Sequence, residues 1–339
     1  MRWLFGLAML AGVMRGQTPS PLPPMPPRPG GDAAPTRVSY ATWIGDITQV
    51  DSVAQTFSAS VVVMVRWHDP QLAHAGPGAK RFALDEIWHP RLLIVNETES
   101  ADLTLPEAAD VAPDGTAVYR QRVVGTFAQA LNLRAFPFDH DTFRVRLVAL
   151  GHRPEEIEFV PDEKAAAAGL RGGVGLGEPL TLQDWQVTGA TTRVQSYQIT
   201  PNVELAGFTV EITAVRRAQH FVIKVILPLI LIVAMSWAVF WIEPNDANTQ
   251  MAVAVTAMLT LIAYRFAIDG DVPKLPYLTR LDAFVLMSTV LVFLSIIEVL
   301  VTTKFASMDR TALARTIDRR CRWIFPLVFT AASAAIFIH

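Results

Sequence analysis

A single cysteine, Cys321, stands in 339 residues, so no disulfide can form within the chain. Charge is scarce too: Asp, Glu, Lys and Arg make up 18% of the residues, and the formal net charge is −2. So neutral a chain offers no electrostatic footprint for nucleic acid. The histidines, at 68, 74, 89, 140, 152, 220 and 339, show no metal-ligand spacing. No nucleophile elbow, zinc-binding helix motif or Walker lysine occurs. Gly173, Gly175 and Gly177 alternate, but no strand pattern precedes them and no periodic helix follows, so they do not read as a phosphate loop. No internal repeat or inverted pair of broken helices suggests a transporter. These absences argue against an enzyme and imply neither a metal nor a cofactor.

What is abundant is apolar surface, at 51% of residues, and it is concentrated in the C-terminal third. Four apolar segments lie there, at about 220–242, 248–268, 282–302 and 323–338. The first three are long enough to cross a bilayer as helices; the last is short and would cross only with little tilt. Pro228 falls inside the first, where a proline is tolerated if neighbours satisfy the freed carbonyl. Residues 37–217 read differently. Alternating stretches such as 57–67, 118–124, 142–148 and 208–215 are separated by turn signals at Asp69-Pro70, Pro113-Asp114-Gly115, Gly151 and Pro161. Many short strands at that spacing predict an all-β, immunoglobulin-like sandwich. Trp185 is expected in its core, and 163–179 is expected to be a loop or short helix followed by a glycine-rich loop.

The ends of these regions set the topology. Arg2 and the apolar run 3–13 read as a signal peptide over 1–16, with an uncleaved anchor as the alternative. Residues 17–36 form a Pro-rich linker too poor in core residues to pack. Lys304, Arg310, Arg315, Arg319, Arg320 and Arg322 place the 303–322 connection on the cytoplasmic side. Four crossings then put the sandwich outside, in agreement with the export signal. The transmembrane domain is expected over 218–339.

The second apolar segment carries a broken polar stripe. Thr249, Ala252, Thr256, Leu259, Ala263 and Phe266 recur three and four residues apart, which puts them on one helix face. Small and hydroxylated residues suit a narrow aqueous path; a helix–helix interface is the competing explanation. Glu243 and Asp246 precede the segment and Asp269 follows it, so carboxylates at both mouths could concentrate cations. Acids before a helix are also favoured by its dipole alone.

Several local motifs then fall in one order. They are Trp67-His68-Asp69-Pro70-Gln71-Leu72, Trp88-His89-Pro90, Phe136-Pro137-Phe138-Asp139, Arg216 at the end of the last strand, Pro228, and Pro273-Lys274-Leu275-Pro276-Tyr277. Together they resemble the pentameric ligand-gated ion channels, in particular bacterial members without a Cys-loop. The resemblance covers about 37–339. Gln129 and Phe143 stand where eukaryotic members carry the two cysteines.

The resemblance implies a homopentamer in a bacterial inner membrane with its N-terminal domain in the periplasm. It implies a pore lined by the stripe, with Leu259 as an apolar gate, and permeation by monovalent cations filtered at Glu243, Asp246 and Asp269. It implies coupling of sandwich to pore through Asp51, Pro137, Asp139, Arg216, Pro273 and Lys274. The agonist box corresponds to Leu93, Val148, Leu150 and Leu205, with Tyr197 as its aromatic. That box has few ring faces or charges for a cationic amine, and Leu261 and Asn248 replace the pore histidine and inner glutamate of a proton-gated member. The agonist therefore stays open among a small amine, a carboxylate and a proton. His220, at the entrance to the first helix, could titrate near neutral pH, although a plain interface role suffices. A non-conducting periplasmic ligand-binding membrane receptor is the alternative; about twenty cytoplasmic residues are too few to build its output domain.

Overall fold

The computed structural model describes residues 26–31, 34–177, 180–243, 245–270 and 275–338. The segment 1–16 expected as a signal peptide, most of the Pro-rich stretch, and Pro273 and Lys274 lie outside the described residues. The strands in chain order are β1 (Thr36–Asp51), β2 (Thr56–His68), β3 (Lys80–Ala83), β4 (Leu92–Ile94), β5 (Asp102–Leu103), β6 (Ala108–Val111) and β7 (Thr116–Ala128). There follow β8 (His140–Ala149), β9 (Ile157–Pro161), β10 (Val174–Leu176), β11 (Trp185–Val194), β12 (Tyr197–Thr200), β13 (Val203–Leu205) and β14 (Gly207–Arg216). The larger sheet runs β10-β1-β2-β7-β6-β3, with β5 on β7 and β9 on β1; the smaller runs β11-β14-β8-β4; β12 and β13 form a ribbon.

Alternation builds the sandwich. In β2, Phe57, Ala59, Val61, Val63, Val65 and Trp67 are all buried at every second position, the period of a half-buried strand. Across the core, Phe143 meets Phe57 at 5.2 Å and Trp185 at 5.3 Å between ring centroids. Phe143, at one of the two cysteine positions of the resemblance, is thus a core ring. The buried Asp69 caps the 3-10 turn Pro70–Leu72, accepting the Gln71 N–H at 3.0 Å. Gly115, at φ +84°, packs so tightly on the Asp69 carbonyl that a Cβ would collide with it.

Two local readings change. The glycine-rich run is not wholly loop: β10 pairs in parallel with β1 over 174–176. The linker end is tied down, because Arg28 donates to the Glu156 carbonyl and to Thr36 Oγ1, each at 2.9 Å, and Thr36 already belongs to β1.

Four helices follow, each long and apolar enough to cross a membrane: α1 (Gln219–Trp241), α2 (Ala247–Ile268), α3 (Arg280–Ser307) and α4 (Thr311–Ile338). The last differs from the sequence expectation. It begins at Thr311 instead of near 323, and the 303–322 connection is helix except for residues 308–310. The reason is chemical: Arg315, Arg319, Arg320 and Arg322 interrupt the apolar run but are good helix formers. Only Ala314, Asp318 and Phe329 of α4 are buried, so it is the outermost helix of the protomer.

Candidate functional site

The helix expected to line the pore, α2, is positioned from both ends. At its start, Asp246 is the N-cap, accepting the Thr249 N–H at 3.3 Å. One turn on, the buried Gln250 donates to the Ile242 carbonyl at 3.0 Å and the Val239 carbonyl at 3.3 Å, so a side chain of α2 satisfies the C-terminal end of α1. Near its other end, the Tyr264 hydroxyl lies 2.9 Å from the carbonyls of both Lys224 and Val225. Pro228 has no N–H to give the preceding turn, and α1 widens to a π turn over Val222–Ile226 just before it. Tyr264 therefore brings a donor to the carbonyls of the turn that the proline disturbs.

These contacts fix which face of α2 turns inward. Gln250, Ala254, Ala257, Leu261 and Ile268 are buried in the protomer. All six stripe residues, Thr249, Ala252, Thr256, Leu259, Ala263 and Phe266, are exposed. Leu259 is 60% and Phe266 80% accessible, high values for apolar side chains with no partner from their own subunit. Thr256 turns its hydroxyl back to the Ala252 carbonyl at 2.7 Å, which leaves its methyl and one oxygen lone pair on the open face. The carboxylates differ among themselves. Glu243 is exposed and 4.0 Å from Arg315 of α4; Asp246 is exposed at the helix start; Asp269 is the C-cap at the sandwich end.

The sandwich meets the helices around one buried ion pair. Arg216, the last residue of β14, donates from Nε to Asp139 Oδ1 at 2.8 Å, and its N–H donates to the Asp139 carbonyl at 3.0 Å. Both side chains are nearly inaccessible, at 6% and 1%. The guanidinium lies over Trp185 at 4.3 Å and Phe136 at 5.0 Å. From there the contacts run into the membrane domain. Phe136 packs edge-on against Phe221 of α1, and its carbonyl accepts the Leu281 N–H of α3 at 3.2 Å. Phe138 packs against Phe337 of α4, and the Tyr277 hydroxyl accepts the Leu133 N–H at 3.2 Å. Pro137 is buried between these two rings in sequence. Asp51 brings its turn to this junction without touching the pair itself. Its carboxylate accepts the N–H groups of Val53 and Ala54 in its own turn, and the neighbouring Ser52 reaches Arg216 Nη2 at 3.3 Å instead.

The residues expected to form an agonist box gather at one corner of the smaller sheet. Leu93 pairs with Val148 across β4 and β8, Val148 pairs with Gly207 of β14, and Tyr197 pairs with Leu205 across the ribbon. The Tyr197 ring lies 2.9 Å from where a Gly207 Cβ would stand, so glycine is required there, and its hydroxyl bonds Thr209 Oγ1. Val148 and Leu205 are buried and support the corner without facing solvent; Leu93 and Leu150 are exposed. Leu93 and Leu150 also border a cavity of about 340 Å³ that reaches Arg91, Glu97 and Tyr119. Sequence reasoning missed Gln250, Tyr264 and Ser52, and named Tyr277 only as a motif residue without a role. Only Tyr264 left a signal: a polar ring one turn from the end of an apolar helix, with a proline in the helix before it.

Among the described residues, no group of His, Cys, Asp and Glu is placed to hold a metal ion. Residues 26–218 match the neurotransmitter-gated ion-channel ligand binding domain, and residues 225–313 match the neurotransmitter-gated ion-channel transmembrane region. The chain therefore belongs to the neurotransmitter-gated ion-channel family, whose members are channels and not enzymes. Similar proteins include the proton-gated ion channel of Gloeobacter violaceus, 26% identical over 314 residues that cover 91% of this chain and 84% of that one. The gamma-aminobutyric acid receptor subunit beta-4 of Gallus gallus is 24% identical over 279 residues, 80% of this chain; the match spans 56% of the chicken subunit.

Proposed function

We propose that the chain assembles as a homopentamer in a bacterial inner membrane, with the sandwich in the periplasm, and conducts monovalent cations when an agonist binds between adjacent sandwiches. The supporting observation is the stripe of α2. Its six residues all lie on the surface of α2 that α1, α3 and α4 leave uncovered, a surface that also takes in Val255, Thr260 and Ile262. Five copies around an axis would bury that face against a shared aqueous path, a closed solution for head-to-tail packing. Leu259 and its four symmetry mates would make an apolar ring that dewets when narrow. Agonist binding at Tyr197, Leu93 and Leu150 would bias the closed–open equilibrium only by the difference in its affinity for the two states. The agonist is a small molecule or a proton, and lipid surrounds the exposed face of α4.

The test is reconstitution of the full chain in liposomes with single-channel recording of wild type and Leu259→Ala. Leu259→Ala is expected to conduct at rest, because a smaller ring stays wet. A monomeric wild type, with neither protein ever conducting, would sink the proposal.

A further inference from the structure

Behind the agonist corner lies a histidine that the pore does not use. The N–H of His152 donates to the Ala149 carbonyl at 3.2 Å, and its carbonyl accepts the Ala206 N–H at 3.1 Å. Leu150, inside the same turn, donates its N–H to the Arg91 carbonyl at 3.0 Å. One four-residue turn thus ties the end of β8 to the segment after Trp88 and to the residue following β13.

The His152 residue is 9% exposed. Its ring packs edge-on against Trp88 at 5.6 Å, and Nδ1 lies 3.5 Å from Glu156 Oε2. Among the described residues, Nε2 is buried without a hydrogen-bond partner. The charged groups around the ring are Glu156 on its own loop, Arg28 from the N-terminal segment and Arg91 from the segment after Trp88. Burial holds the imidazole below the usual histidine range; Glu156 opposes this, and the two guanidinium groups reinforce it.

With the Nδ1–H directed at Glu156, a second proton must go to Nε2. That would create a buried N–H with no acceptor, near two positive charges, at the full cost of an unsatisfied charged donor. Opening the turn to water removes the cost. We propose that His152 is a proton-sensitive positioning residue of the agonist corner: neutral, it pins the 149–152 turn; protonated, it releases the turn and shifts Leu150 and the end of β13. This rests on the reading of that corner as the agonist site. The sign is set by linkage. The open turn binds the proton more readily than the packed one, so the packed turn is fully stable above the free histidine pKa of about 6.5 and loses stability as pH falls below it.

Hydrogen exchange on the full-length protein in detergent, at pH 7.5 and pH 5 with intrinsic rates removed, tests the switch. Peptides over 149–156 and 203–207 are expected to lose protection severalfold at pH 5 in wild type and in Glu156→Gln, and to hold it in His152→Gln. Unchanged wild-type protection overturns the proposal. So does a full response in His152→Gln, or its loss in Glu156→Gln, which would make the carboxylate the sensor. Sodium flux into proteoliposomes, measured on the same proteins, separates the two readings. Flux with pH-independent protection sinks the switch. Protection that responds to pH through His152, without any flux, sinks the channel reading and leaves the pinned turn standing.

Discussion

The hydroxyl of Tyr264 on α2 lies 2.9 Å from the carbonyl of Lys224 on α1, in the turn that Pro228 follows. A proline and a tyrosine, 36 residues apart by subtraction of their numbers, thus meet at one joint between α2 and the helix that carries the sandwich. Tyr264→Phe keeps the ring and removes the donor. It is expected to cost about 0.5–1.5 kcal/mol, the net worth of one hydrogen bond, seen as a lower thermal midpoint in detergent. An unchanged midpoint would mean that water takes the place of the hydroxyl.

The Asp139–Arg216 pair makes a sharper prediction. Asp139→Asn leaves a buried guanidinium without its counter-charge, and breaking such a pair costs about 3–5 kcal/mol. Arg216→Lys is also expected to fail, because an ammonium lacks the planar fork that lies over Trp185 and Phe136. Both variants should reduce the yield of detergent-stable oligomer, with Asp139→Asn losing more than Ser52→Ala. Equal losses for the three would show that the pair carries no special weight.

Ion preference can be assigned to particular carboxylates. Glu243 faces Arg315 at 4.0 Å, whereas among the described residues the Asp246 carboxylate meets only a backbone N–H of its own helix. Asp246→Asn retains a good helix cap while removing the charge. It is expected to shift the reversal potential in a sodium chloride gradient toward zero by more than Glu243→Gln does. A reversal potential that moves in neither variant would place selectivity elsewhere on α2.

Much of this was legible in the sequence because it rests on periodicity. The stripe from Thr249 to Phe266 is visible at 3.6-residue spacing, and all six of its residues are exposed in the helix packing, although Val255, Thr260 and Ile262 beside them are exposed too. The burial of every second residue in β2 follows equally from its alternation. What was not legible depends on contacts distant in sequence. Nothing local distinguishes Asp51 from Ser52 as the partner of Arg216, since the choice depends on how one turn sits under β14. Val148 and Leu205 look like their exposed neighbours Leu93 and Leu150 until β4, β8 and the ribbon are assembled. The start of α4 was hidden because arginines end a hydrophobic run without ending a helix.

Residues 308–310 are all that separate α3 from α4. A link so short holds the two helices as a hairpin and leaves no material there for a chamber below the membrane. In a conducting pentamer, ions leaving the ring of Asn248 would pass straight into bulk cytoplasm. The charges at the mouth of α2 would then be the last field they meet, and no portal in the α3–α4 connection would filter the current or limit its size.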